Sequence, residues 1–571
     1  MKTCSETTRD PDIHSLANPA AVRVVHLNLE LTVVFERRTI EGTAILTIER
    51  FSRDATQLIL DSRALQIDET AISCDGVNYR GSRFSIGQTD KILGAPLIID
   101  IAPDTKFVRI RYSTDPAATA LQWLAREQTA GKQHPFLYTQ SQAIHARSWI
   151  PLQDSPGVRV TFEARVRVPE GLKALMGAPN LVMDQPIPPY LIALAVGDLA
   201  FQPTGPRTGV WAEPSVVARA STEFSNMEKM LDAAERLYGP YRWGRYDVLV
   251  MPPSFPFGGM ENPCLTFATP TVITGDKSLV SLVAHEMAHS WSGNLVTNAT
   301  WSDFWLNEGY TVYIERRILE ELYGSRRAEM EAALGYQDLQ EALKTHPPAE
   351  QILHIDLAGR DPDDGCTSVP YEKGALFLRH VEQTFGRQRF DAWLRSYFDQ
   401  FAFRSITTAE SLDYMREQLF AANPQLAAEI PLEEWVFEPG LSSCAIPPVF
   451  EPARAIDEWT THEWLHFLRA LPLQLDAARM QELDSTYHLT RSGNDEILDQ
   501  WLLMAIRNRY KPAYPRLERF LIEVGRRKFV KPLYEAMDLT QAAAIYEKAR
   551  PGYHPITQAT IDAIIAAKTT S

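Results

Sequence analysis

"AHEMAHSWSGNLV", residues 284–296, places two histidines four positions apart with a glutamate directly after the first. At 3.6 residues per turn, His285 and His289 would differ by about 40° around a helix axis, so both imidazoles leave one face and can meet a single ion. Glu286 is rotated by about 100° from His285. It cannot easily reach that ion, but it can reach a water beside it. The wider run "DKSLVSLVAHEMAHSWSG" offers Asp276 or Ser278 as an N-cap and Gly293 as a stop. Val280, Ala284, Met287 and Ala288 cover the remaining sides, which predicts a helix buried nearly all round.

A catalytic zinc takes three protein ligands and keeps one position open. The third candidate is Glu308, in "WLNEGYTVYIERRILEELYG", a second helical stretch with residues 290–307 between it and His289. Glu315 follows on the same helical face, placed to accept a hydrogen bond from a ligand histidine. Zinc lowers the pKa of its water toward about 7, and Glu286 is the carboxylate placed to take the proton during attack on a carbonyl. H-E-x-x-H alone arises by chance in roughly one chain of this size in fifty. The glutamate at a fixed spacing on a second helix makes coincidence far rarer.

Outward from this centre the pattern changes twice. Before residue 200, "HLNLELTV" (26–33) alternates polar and apolar, and "GTAILTIE", "QLILDS", "KFVRIRYS" and "VRVTFEARVRVP" follow in the same manner. These runs predict a largely antiparallel β domain of sheets packed face to face. The Pro/Gly-rich "FQPTGPRTG" (201–209) reads as a boundary. Helical patterns begin with "TEFSNMEKMLDAAERLYG" (222–239), and the strand "YDVLVMPP" (246–253) leads toward the opening motif, giving an α/β middle region. "EPGLSSCAIPPVFEP" (438–452) reads as a linker, and "ILDQWLLMAIRNRY" and "YPRLERFLIEVGRRKF" beyond it predict a helical C-terminal domain. The expected organisation is a multidomain α+β chain: 1–203 an N-terminal antiparallel β-sheet domain, 204–440 a zinc catalytic domain, 441–452 a linker, and 453–571 an all-α domain.

A chain of 571 residues is too long for one core, and 45% hydrophobic with 23% charged residues is an ordinary globular composition. The net charge of -15 argues against a grip on nucleic acid. Five scattered cysteines without a C-x-x-C pair suit a reducing compartment. The first twenty residues lack a signal-peptide core, and no run reaches the roughly 20 apolar residues of a membrane span. A cytoplasmic protein, free of membrane and nucleic acid, is expected.

His285, Glu286, His289 and Glu308, with "PPSFPFGGMENPCLTF" (252–267) upstream and "SVPYEKG" (368–374) downstream, resemble the zinc aminopeptidases of the gluzincin type, and in particular the leukotriene A-4 hydrolase subgroup. The likeness covers nearly the entire chain. It implies a thermolysin-like α/β catalytic domain, a solenoid-like helical C-terminal domain and one Zn2+ per chain. It further implies that Glu261 of the "FGGMEN" loop binds the free α-amino group of a peptide, with Phe257, Gly258, Gly259 and Met260 beside the substrate. By the same resemblance Tyr371 donates to the developing oxyanion. Gln142 and the adjacent backbone of Ser141 and Ala143, in "YTQSQAIHARSWIPLQDSP", match substrate-contacting positions with Gln140 nearby, and Arg526 and Lys528 of "VGRRKF" match a basic pair that binds the substrate's terminal carboxylate. Asp363 matches an acidic residue deep in the pocket that takes part in epoxide hydrolysis and that could pair with an N-terminal arginine. The family's lipid-processing member has tyrosines where this chain has Cys366 and Phe257, which separates the epoxide activity from the peptidase machinery. The implied activity is removal of N-terminal residues from short peptides, tripeptides above all, and a chain of this size with three domains of its own is expected to be a monomer. A bifunctional enzyme that also opens a lipid epoxide, and a non-catalytic peptide-binding protein, are the alternatives.

Overall fold

The structure, a computed structural model, describes residues 12–450 and 459–570. The first eleven residues, the last two of the expected linker and the first six of the expected helical domain lie outside the described residues.

Strand β1 (Val22–Val34) shows why the alternating pattern folds as it does: Leu27, Leu29 and Leu31 point into the core while the residues between them are partly or fully wet. It pairs antiparallel with β2 (Thr39–Arg50), which pairs antiparallel with β3 (Phe107–Ser113). On its other side β1 runs parallel to β4 (Val160–Arg167), so the seven-stranded sheet is antiparallel with one exception. Three-stranded and four-stranded sheets complete the β region. The strand Phe136–Thr139 belongs to the latter, is wholly buried, and hands the chain directly to residues 140–145.

The 201–209 run, expected as a boundary, lies within a hairpin. Strands β5 (Ala200–Pro203) and β6 (Thr208–Ala212) pair across it, and both belong to the five-stranded sheet completed by β7 (Tyr246–Val250), β8 (Gly259–Met260) and β9 (Leu265–Ala268). Cutting at 203/204 would separate hydrogen-bonded neighbours, so we place the domain division ahead of Ala200. The helical run expected over 222–239 contains α1 (Met227–Tyr238) only after a break at Phe224 to Asn226.

The motif helix α2 (Ser281–Ala288) is shorter than its flanks suggested. Asp276 Oδ1 instead accepts from the Ser278 amide at 2.9 Å within the preceding turn, and His289 caps the helix's C-terminal end with backbone angles that are still helical. Helix α3 (Trp305–Tyr323) packs against α2, α4 (Ser325–Thr345) and α5 (Gly374–Phe385). The apolar core is continuous from the β region through these helices, whereas the C-terminal helices enclose their own.

Those helices form two stacked layers. In one, α6 (Thr461–Ala470), α7 (Asp495–Arg507), α9 (Arg527–Ala536) and α11 (Pro555–Thr570) follow in contact, and in the other α8 (Tyr514–Glu523) meets α10 (Leu539–Ala549). The single helix suggested by 514–529 is broken, because Val524 and Arg526 adopt extended backbone. Gly525 explains the break: a Cβ there would lie 3.0 Å from the Ser254 Cα and carbonyl oxygen, so only glycine lets the two backbones touch. Its amide donates to the Pro253 carbonyl at 2.9 Å and that of Arg527 to Pro256 at 2.8 Å. The contact turns residues 526–528 toward the catalytic domain. No helix of the described residues is long and apolar enough to cross a membrane.

Candidate active site

Helices α2 and α3 bring His285, His289 and Glu308 together, with one ligand atom of each within 4.8 Å of the others. The two Nε2 atoms are 3.2 Å apart, and Glu308 Oε2 stands 3.4 Å from that of His285 and 3.5 Å from that of His289. The outer ring nitrogens decide what the inner ones can do. His289 Nδ1 lies 3.0 Å from the Ser292 carbonyl, which only accepts, so Nδ1 carries the proton and Nε2 presents a lone pair. His285 Nδ1 faces Glu315 Oε2 at 3.0 Å, the partner expected from helical spacing. Two imidazole nitrogens and a buried carboxylate oxygen without a hydrogen-bond partner thus converge on one point. This N, N, O set suits zinc at a three-ligand site. Burial holds His289 down to about 4, and although burial also opposes it, Glu308 and Glu315 hold the His285 pKa well above the ordinary imidazole value. A proton is therefore the competitor for the same lone pairs.

Glu286 projects from α2 beside this triad, buried, with Oε2 unpartnered. It fits only because residue 259 is glycine: a Cβ there would overlap the Glu286 carboxylate. The same loop delivers Glu261, whose ligand oxygen lies within 4.8 Å of those of Glu286 and His289. Burial, reinforced by Glu308, pushes Glu261 up to about 8, the mark of a carboxylate that lacks a cation. Tyr371 sits in a wide, π-type turn (Val369–Lys373) ahead of α5, stacked on His285 with ring centroids 6.2 Å apart. Burial and then Glu308 raise its pKa, so the phenol keeps its proton and can donate.

These groups open on a cavity of about 660 Å³, lined also by Gln142, Phe257, Gly258, Gly259, Asp363 and Cys366, and on the C-terminal side by Arg526 and Lys528. Gln140, Ser141, Ala143 and Met260 are not on this wall. Gln140 Nε2 donates instead to Met260 Sδ at 3.0 Å, and Ser141 Oγ donates to the Ile192 carbonyl at 2.9 Å. Gln142 opens the turn that follows the buried strand Phe136–Thr139, and of residues 140–143 it is the one whose side chain reaches the cavity. The Ala143 amide supports the wall from behind, 3.3 Å from Asp363 Oδ1.

Arg526 and Lys528 are not free cations. Arg526 Nη1 lies 3.1 Å from Glu496 Oε1, and Lys528 Nζ lies 2.9 and 2.8 Å from its two oxygens. Burial alone would raise the Glu496 pKa, but Lys528 and Arg526 pull it down to about 2. Sequence reasoning missed Glu496, which stands in the first turn of α7 with no motif around it. It also missed His145, inside a stretch already singled out, and Arg527, between two residues that were.

Residues 24–184 match the peptidase M1 N-terminal domain, 222–435 the peptidase family M1 domain, and 459–565 the C-terminal domain of leukotriene A4 hydrolase. The chain is 37% identical to a leukotriene A-4 hydrolase of Xenopus laevis, over 96% of this chain and 98% of that one. It is 38% identical to leucine aminopeptidase 2 of Yarrowia lipolytica, over 96% and 92%. Among solved structures, yeast LTA4 hydrolase in complex with bestatin superposes with a TM-score of 0.91 at 32% identity, covering 98% of each chain.

Proposed function

Since the chain belongs to the M1 family of zinc metallopeptidases and carries the C-terminal domain of its leukotriene A4 hydrolase branch, we propose that it is an aminopeptidase that releases N-terminal residues from short peptides. The observation that carries this reading is the placement of Glu261 against Glu286 and His289. A carboxylate raised by burial at the closed end of a cavity gains a partner when a peptide's α-ammonium arrives, and nothing longer fits behind it.

His285, His289 and Glu308 would hold the zinc, which when bound would supply Lewis-acid polarisation of the scissile carbonyl and an activated water. Glu286 takes the proton of the attacking water and passes it to the departing amine. The Tyr371 hydroxyl donates to the oxygen on which charge develops. Gln142 lines the bound chain. At the far wall Arg526 and Lys528 share Glu496 as their ion-pair partner, which leaves them cationic donors for the peptide's terminal carboxylate. The same reading takes the protein as a cytoplasmic monomer, in keeping with Cys74, Cys264, Cys366 and Cys444 being free and with a cavity completed by this chain's own domains.

Comparing a tripeptide with its N-acetylated form tests the proposal. Cleavage of the free peptide, zinc-dependent and abolished by acetylation, is expected; equal turnover of both would refute an exopeptidase. A second reading, that the cavity also opens a lipid epoxide, is favoured by the Asp363 carboxylate on its wall. Incubation with an allylic fatty-acid epoxide decides it, and no dihydroxy product above the blank removes it.

A further inference from the structure

The fit of Asp363 into the cavity wall contains a charge that neither spacing nor motif announced. His145 is the first part. The Arg63 guanidinium, which has donors only, places Nη1 3.1 Å from His145 Nδ1, so Nδ1 is an acceptor and the proton sits on Nε2. That Nε2 is 3.2 Å from Asp363 Oδ2, while the Ala143 amide approaches Oδ1. Asp363 is thereby held as an ionised acceptor with both oxygens engaged. Burial opposes this, but the His145 hydrogen bond and the charge of Arg527 keep its pKa below the usual carboxylate range.

Arg527 is the second part. It lines the same cavity as Asp363, Cys366 and Phe257. Its Nε is buried with no hydrogen-bond partner, and among the described residues no carboxylate pairs with its guanidinium. Its two neighbours are ion-paired with Glu496, whereas its own charge acts on Asp363, Cys366 and His554. The Arg527 amide bond to Pro256 and the close packing of Gly525 on Ser254 fix where this side chain starts. Around Asp363 the cavity therefore presents a carboxylate together with a guanidinium that has no ion-pair contact among the described residues, and not a lone negative charge.

We propose that Arg527 is a specificity-determining residue: it cancels the attraction of Asp363 for a cationic first side chain, so that the site selects against N-terminal arginine and lysine and accepts neutral or acidic residues there. The inference rests on the aminopeptidase reading and goes beyond it by naming the class of first residue. Long-range repulsion between two guanidiniums in a partly dry cavity is worth about tenfold in relative turnover.

The test uses the zinc-loaded full chain and three peptides that differ only in the first residue: Arg-Ala-Ala, Met-Ala-Ala and Glu-Ala-Ala. The parent is expected to prefer Met and Glu over Arg. R527Q and R527M, each checked for full zinc content, should raise the Arg/Met ratio of kcat/KM by about tenfold and lower the Glu/Met ratio, and R527K should restore both toward the parent. A role in folding alone would change all three peptides equally. Ratios in either zinc-replete variant within about twofold of the parent's overturn the proposal. Absence of turnover by the parent on every peptide would instead overturn the aminopeptidase reading, and this inference with it.

Discussion

The two ends of the cavity are built differently. The metal end comes from two helices close in sequence, and its chemistry is set by local periodicity: 3.6 residues per turn put His285 and His289 on one face, and the same repeat puts Glu315 behind Glu308. The wall around Asp363, Arg527 and Glu496 comes from three distant segments, joined where Gly525 lies on the backbone of Ser254. On the proposed function, reactivity is held by local structure and selectivity by long-range packing. The first should fail abruptly when a single group is changed, and the second by degrees.

The sharpest way to test the metal end is Glu286→Gln. It removes the base but no ligand, so kcat should fall by about 10³-fold or more while zinc content stays at one per chain. Cleavage of an aminoacyl amide at the parent rate would place the base elsewhere.

Glu496→Ala breaks the other end. It leaves Arg526 buried with no carboxylate and Lys528 unpaired, and should lower stability by about 3 kcal/mol, read as a shift in the denaturant midpoint. The native pairing also has a pH signature. The Glu496 pKa is depressed to about 2, so its contribution is fully present above the unfolded carboxylate value near 4.5 and is lost as pH falls toward 2. Acid unfolding of the Glu496→Ala variant should therefore be shallower than that of the parent across this window; identical profiles would show that the pairing does not contribute.

A milder change at the metal end is Glu315→Gln. The amide can still accept from His285 Nδ1 but without charge, so zinc affinity should fall by about 10- to 100-fold, measured by chelator competition. Unchanged affinity would mean that Glu315 merely lies nearby.

The contrast also explains what could be read from the chain alone. The convergence of His285, His289 and Glu308, the place of Glu286 beside them and the contact of Glu315 with His285 were legible because helical spacing is local. The β region was legible from alternation, but the parallel pairing of β1 with β4 was not, since the two strands are separated by more than a hundred residues and parallel partners leave no turn signal between them. The break at 524–526 was invisible because its cause, the Ser254 backbone, lies in another domain. Arg526, Arg527 and Lys528 read as one basic run; only folding sends two of them to Glu496 and one toward Asp363. Folding also corrects the expected position of the Gln140 and Ser141 side chains, which lie off the cavity wall because contacts with Met260 and Ile192, on distant segments, hold them there.

That correction yields the smallest expected effect. Gln140 lies behind the cavity wall, with Nε2 on Met260 Sδ and Oε1 buried without a partner. Replacing it by leucine removes one weak hydrogen bond to sulfur and an unsatisfied carbonyl together, changes that nearly cancel because both polar groups leave at once. Gln140→Leu should keep kcat/KM for a tripeptide within about threefold of the parent, a difference under 1 kcal/mol. Gln142→Leu, by contrast, changes a side chain on the wall itself and should raise KM more than it lowers kcat. A loss on Gln140→Leu as large as that on Gln142→Leu would mean that Met260 transmits the packing of residue 140 to the "GGMEN" loop, and that the β region shapes the reacting end of the cavity as well as its far wall.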